Sequence, residues 1–182
     1  MNKTLILFFA LFSSVSYSQI TEGQKFCEES KDASFFPLVI DKKKILWGKT
    51  FYFETKNQTK ILNGKTYTEF KQEWNKASSD LLYLREENGI VYQYDPCCKN
   101  ETIRYNPQFK IGYTWKTVNN ENEYKVISYD GKLRTPYCEY QNLLVIKAKM
   151  KYGTFNFYYL KGHGYIGATQ NEKLISCVSP EW

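Results

Sequence analysis

The one histidine of the chain, His163, lies inside Gly162-His163-Gly164-Tyr165-Ile166-Gly167, which spells the G-x-G-x-x-G pattern of dinucleotide-binding loops. That chemistry needs the glycines between a strand and the N-terminus of a helix, with an acidic residue about 20 positions on. Here Ala168 to Ile175 reads as turn and strand, and the chain ends at Trp182. The motif therefore predicts a tight turn or bulge between Leu160 and Ile166. His163 has no H-E-x-x-H, G-x-S-x-G or paired-histidine context to make it a metal ligand or a triad base. We assign no catalytic, cofactor-binding or metal-ligating residue, and expect no cofactor. Carboxylate neighbours such as Glu86-Glu87, or Glu121 with Glu123, sit beside turn residues and read as solvated.

Cysteine chemistry depends on compartment. Met1-Asn2-Lys3 followed by the apolar run Leu5 to Phe12 has the form of a signal peptide cut near Ser18-Gln19, which predicts an exported protein, periplasmic or extracellular. The run is far shorter than the roughly 20 residues of a membrane span. In an oxidising compartment Cys27, Cys97, Cys98, Cys138 and Cys177 are expected to be mostly paired, with one left over. A Cys97–Cys98 bond is disfavoured, because adjacent Cα atoms lie about 3.8 Å apart while ordinary disulfides want about 4.4–6.8 Å. The expected pairs are Cys27 with Cys177, tying the ends, and Cys98 with Cys138, leaving Cys97 as a free or vicinal thiol. Redox exchange or soft-metal binding by the vicinal pair is the sharper alternative, although C-x-x-C spacing is lacking.

Aromatic side chains are 18% of the chain, with 16 Tyr and 12 Phe, and this supply suits pleated, half-buried surfaces. Most should pack a core. Tyr92, Tyr94, Trp115, Phe157, Tyr159 and His163 are the candidates for facing a ligand, since concave aromatic sheets bind apolar molecules.

Strands must position these groups. Asn63-Gly64, Asn88-Gly89 and Asp130-Gly131 are two-residue hairpin signals, because both central positions of a type I′ turn need positive φ. Leu144, Ile146, Ala148 and Met150 alternate with lysines in the period of a strand with one wet face. Phe70, Trp74 and Ala77 are helix-spaced, but Thr66-Tyr67-Thr68 before them favours a strand. The run Lys42-Lys43-Lys44 between two apolar patches reads as a solvated turn. We expect residues 1–18 to be the signal peptide and residues 19–182 one all-β domain. Its fold is an antiparallel meander of about nine or ten strands forming a half-barrel, barrel or sandwich.

Tyr83 to Asp95 (YLREENGIVYQYD), Phe109 to Trp115 (FKIGYTW) and Gly162 to Gly167 resemble, in that order, motifs of a group of secreted Bacteroidetes (flavobacterial) β-proteins. That group carries a YLREENGKVYYYD hairpin, a YDFNLKVGDTW segment and a late GIG turn. The resemblance covers roughly residues 51–177. It implies export and a β fold, and no activity comes with it. The sorting domain that many of those proteins carry at their C-terminus has no counterpart in this sequence.

The formal net charge of +6 is spread along the chain rather than clustered, which argues against nucleic acid as a partner. The reading these observations favour is an exported, monomeric, non-catalytic binding or interaction protein. Its partner is an apolar ligand on a curved aromatic sheet, or another protein. A hydrolase-like enzyme with a fold-assembled site and a structural component of an envelope assembly are the alternatives.

Overall fold

Two of the three hairpin signals act as local chemistry requires. Asn63 and Asn88 adopt φ of 50° and 53° ahead of their glycines, so each dipeptide reverses the chain in two residues. In the computed structural model, which describes residues 26–31, 33–75 and 78–180, these turns join β2 (Thr50–Leu62) to β3 (Lys65–Trp74), and β4 (Ser79–Glu87) to β5 (Ile90–Asp95). The remaining strands are β1 (Lys42–Trp47), β6 (Asn100–Tyr105), β7 (Thr114–Lys116), β8 (Glu123–Arg134), β9 (Glu139–Met150), β10 (Gly153–Leu160), β11 (Gly164–Gln170) and β12 (Lys173–Ser179).

All twelve strands belong to one antiparallel sheet ordered β6-β5-β4-β3-β2-β1-β12-β11-β10-β9-β8-β7. Each strand pairs with its sequence neighbour, and the first pairs with the last, Ile45 facing Val178 and Leu46 facing Cys177. The sheet curls until its free edges, β6 and β7, meet through side chains rather than a ladder. Trp115 Nε1 donates to the Ile103 carbonyl at 2.8 Å, and the Val118 amide donates to Thr102 Oγ1 at 2.9 Å. The result is a nearly closed barrel of the all-β class expected, with more strands than the sequence pattern suggested.

One of the extra strands comes from a segment whose charge disguised it. Lys42-Lys43-Lys44 is no turn but the start of β1, where alternation leaves Lys42 exposed and Lys43 buried beside buried Ile45. Phe70 and Trp74 lie in β3, so the helix-like spacing carried no helix, and Ala77 lies outside the described residues.

Asp130-Gly131 is likewise no hairpin. It sits within β8, paired to β9 across three register shifts. Its glycine serves close packing: a Cβ on Gly131 would lie 2.2 Å from Val145 Cγ2. The turn proper is Thr135–Cys138, whose Thr135 amide donates to the Cys138 carbonyl at 2.9 Å.

The main core lies inside the barrel, where Phe70, Leu84, Val91, Tyr124, Val126, Leu144, Ile146 and Ala148 meet. The segment before β1 enters this core without forming a strand of its own. Phe36 stacks on Tyr159 at 4.3 Å and on Tyr105 at 5.2 Å between ring centroids. A disulfide from Cys27 to Cys138, with Cα atoms 5.5 Å apart, fastens this segment to the β8–β9 turn.

The expected cysteine pairing is therefore corrected. Cys177 is buried in β12 and free, and Cys98 bonds to its neighbour Cys97 rather than to Cys138. Chain closure at the ends is done by the β1–β12 ladder, so no disulfide is needed there. Cys97 and Cys98 lie in the short exposed turn between β5 and β6, away from any other cysteine, which leaves each as the other's partner despite a Cα separation of 3.8 Å.

The interior cavity as candidate functional site

Cross-strand register builds a row of polar side chains across the inner face of the sheet. Lys43 of β1 faces Glu54 of β2, and Glu54 faces Gln72 of β3. Two positions along, Tyr52 repeats the inward direction of Glu54, and Phe70 that of Gln72. Phe70 faces Leu82 of β4, and Leu84 follows it. Opposite them stand Tyr124 of β8, Phe157 and Tyr159 of β10 and Tyr165 of β11, with Arg104 reaching in from the edge strand β6.

These side chains line a cavity of about 210 Å3 that is partly open to solvent, one wall of which is Phe36, Pro37 and Leu38 from the segment that the disulfide fastens. A second space of about 10 Å3, water-sized, lies beyond Arg104 against Ile103, Trp115 and Ile146.

The cavity's charged groups make few direct bonds to protein, and none is an ion pair among the described residues. Lys43 Nζ donates to the His163 carbonyl at 2.6 Å, and burial pulls its amine below the ordinary value while Glu54 opposes that pull. Glu54 accepts from Gln72 Nε2 at 2.7 Å. Arg104 donates to the Tyr124 hydroxyl at 3.5 Å, and no carboxylate among the described residues forms an ion pair with it. Burial works against its charge, but the fields of Tyr124, Tyr159, Asp95 and Glu54 outweigh that and hold the guanidinium protonated. Burial pushes the Tyr159 hydroxyl up to about 12, against the pull of Arg104, and it raises Tyr52 and Tyr165 as well.

Two of the sequence candidates, Phe157 and Tyr159, line the cavity. Trp115 lines the smaller space and stacks on Tyr124. Tyr92 and Tyr94 do not face the interior. They alternate with the inward Val91 and Gln93, so Tyr92 lies under the Arg85 guanidinium at 4.2 Å and Tyr94 beside Tyr67.

His163 contributes its backbone rather than its ring. Its ring nitrogen Nε2 meets the Glu28 carbonyl at 2.9 Å, while its own carbonyl holds Lys43. The Gly162-His163-Gly164 sequence is the β10–β11 turn, as expected. At Gly164, φ is 72°, and a Cβ would stand 3.0 Å from Lys43 Nζ.

Sequence reasoning missed Lys43, Glu54, Gln72, Arg104 and Tyr124. A signal for two of them was present: Lys43-x-Ile45-x-Trp47 and Tyr52-x-Glu54 each place a charge in register with apolar residues. No comparable pattern marks Arg104.

These features define a class of structure, a nearly closed antiparallel barrel with an internal cavity. No protein-family model, curated protein or solved structure matches the chain.

Proposed function

We propose that the protein is an exported binding protein that holds a small, largely apolar ligand inside its barrel. The observation that carries this reading is the internal cavity of about 210 Å3, walled by Phe36, Leu38, Phe70, Leu82, Leu84 and Phe157. Barrels of this kind enclose one small ligand, and apolar walls with a few placed polar groups are what ligand sites share. The volume falls below the roughly 300–1,000 Å3 of drug-sized sites, which limits the ligand to a short chain or a single ring system. Export is supported by Lys3 and the apolar run Leu5 to Phe12. Against an enzyme stands the makeup of the lining: Glu54 is its one carboxylate, and the His163 ring is turned to Glu28.

Native mass spectrometry of protein purified from its own host tests the proposal, together with titration of octanol followed by tryptophan emission, since Trp47 lines the cavity. A retained small molecule, or saturable octanol binding that Leu84→Trp abolishes by filling the space, is expected. A ligand-free mass combined with no binding of octanol or octanoate overturns it.

A further inference from the structure

Within that reading of the cavity, on which this step rests, the unpaired guanidinium specifies the ligand further. Among the charged lining residues two are cations, Lys43 and Arg104, and one is an anion, Glu54. Glu54 already accepts from Gln72, and Lys43 is held by the His163 carbonyl. Arg104 meets the cavity with a fork of donors whose one hydrogen bond to protein is to the Tyr124 hydroxyl, at 3.5 Å, and no carboxylate among the described residues is bonded to it. Burying a cation without an anionic partner is costly, and a planar guanidinium matches a carboxylate in two parallel hydrogen bonds.

We infer that the ligand is a small amphipathic carboxylic acid, its carboxylate held by Arg104 with the Tyr124 and Tyr159 hydroxyls and its tail among Phe70, Leu82, Leu84, Met150 and Phe157. The Tyr124 hydroxyl accepts from Arg104, which leaves its own proton free to donate to the acid, and the Tyr159 hydroxyl lines the same end of the cavity. With burial raising Tyr159 to about 12, that donor is intact at neutral pH. The apolar tail surface is contributed by β3, β4, β9 and β10, so head and tail subsites come from different parts of one sheet. A cationic amphiphile would oppose Arg104 and Lys43, and a neutral alcohol would leave the guanidinium unpaired.

The test compares octanoate, octanol and octylammonium by tryptophan emission and calorimetry on the mature protein. Octanoate is expected to bind about ten- to a hundredfold tighter than octanol, the range for a charge-assisted pair, with octylammonium weakest. Arg104→Met should bring octanoate and octanol to equal affinity, and Tyr124→Phe should lower the octanoate preference severalfold. Tyr124→Phe decides the matter if Arg104→Met fails to fold. Octanol bound as tightly as octanoate overturns the carboxylate inference and leaves the apolar-ligand reading standing. Octanoate preference retained in both variants also overturns it. Binding of none of the three overturns both readings.

Discussion

The two faces of the strands from β1 to β6 both bury charge, and they do so in opposite ways. On the outer face the charges satisfy one another. Glu101 accepts from Arg85, from Lys65 at 2.6 Å and from the Tyr67 hydroxyl at 2.6 Å. Arg85 also reaches Glu87 at 2.8 Å, and Glu69 pairs with Lys60 at 2.9 Å while accepting from Asn57. On the inner face Arg104 and Lys43 have only phenol and carbonyl oxygens. A completed ionic network is a structural element, since every member loses a partner if one is removed. A charged group with no bonded counter-ion keeps donors available to a ligand. On the proposed reading, buried charge marks the ligand site only where bonded counter-ions are missing.

The largest expected effect comes from detaching the wall of the inner site. The Cys27–Cys138 bond spans 111 residues, and cross-links closing loops on the order of 100 residues constrain the unfolded chain by about 4–5 kcal/mol. The double variant Cys27→Ser, Cys138→Ser should lose stability of that order in urea titrations. It should also bind octanoate more weakly, because Phe36 to Leu38 are no longer held over the cavity. Unchanged binding would show that the fastened segment is no part of the site.

Next in size is the outer network. Glu101→Gln should cost about 2 kcal/mol, less than opening a fully dry ion pair because the pair keeps some contact with water. It should leave ligand affinity unaltered. The Glu101 carboxyl is held down to about 2, chiefly by its bond from Arg85, with Lys65 and Tyr67 adding to the effect and burial opposing it. Its folded pKa lies below the unfolded value near 4.5, so its stabilisation is complete above pH 4.5 and is lost as the pH falls toward 2. Thermal midpoints measured across that window should fall more steeply for the wild type than for Glu101→Gln.

Arg104→Met tests the inner face. Stability of the empty protein should fall by less than for Glu101→Gln, since no carboxylate among the described residues is bonded to the half-buried Arg104 guanidinium and none is stranded by its removal. A loss as large as that of Glu101→Gln would mean that Arg104 is a structural group and erase the contrast between the faces. The smallest effect is expected at the β5–β6 turn. Replacing Cys97 and Cys98 by serine should change stability by at most about 1 kcal/mol, because a bond between neighbours closes the shortest possible loop.

Much of the scaffold was legible in local chemistry. Asn63-Gly64 and Asn88-Gly89 demand positive φ and reverse the chain where they stand. The alternation of Leu144, Ile146 and Ala148 with lysines put β9 on the core, and the same period placed Phe157 and Tyr159 inward. Asp130-Gly131 misled because a glycine needed for closeness to Val145 is spelled like a turn glycine. Lys43 misled because its run looks solvated, and only the strand's period turns its middle member inside.

The sequence by itself determined the all-β class, the hairpins and the alternation of faces, since these depend on φ preferences and on side chains one or two residues apart. The β1–β12 closure, the Cys27–Cys138 pairing, the fate of Tyr92 and Tyr94, and the meeting of Lys43, Glu54 and Arg104 in one cavity were decided by tertiary structure alone. Each depends on which strands the curled sheet brings face to face, over separations that carry no local signal.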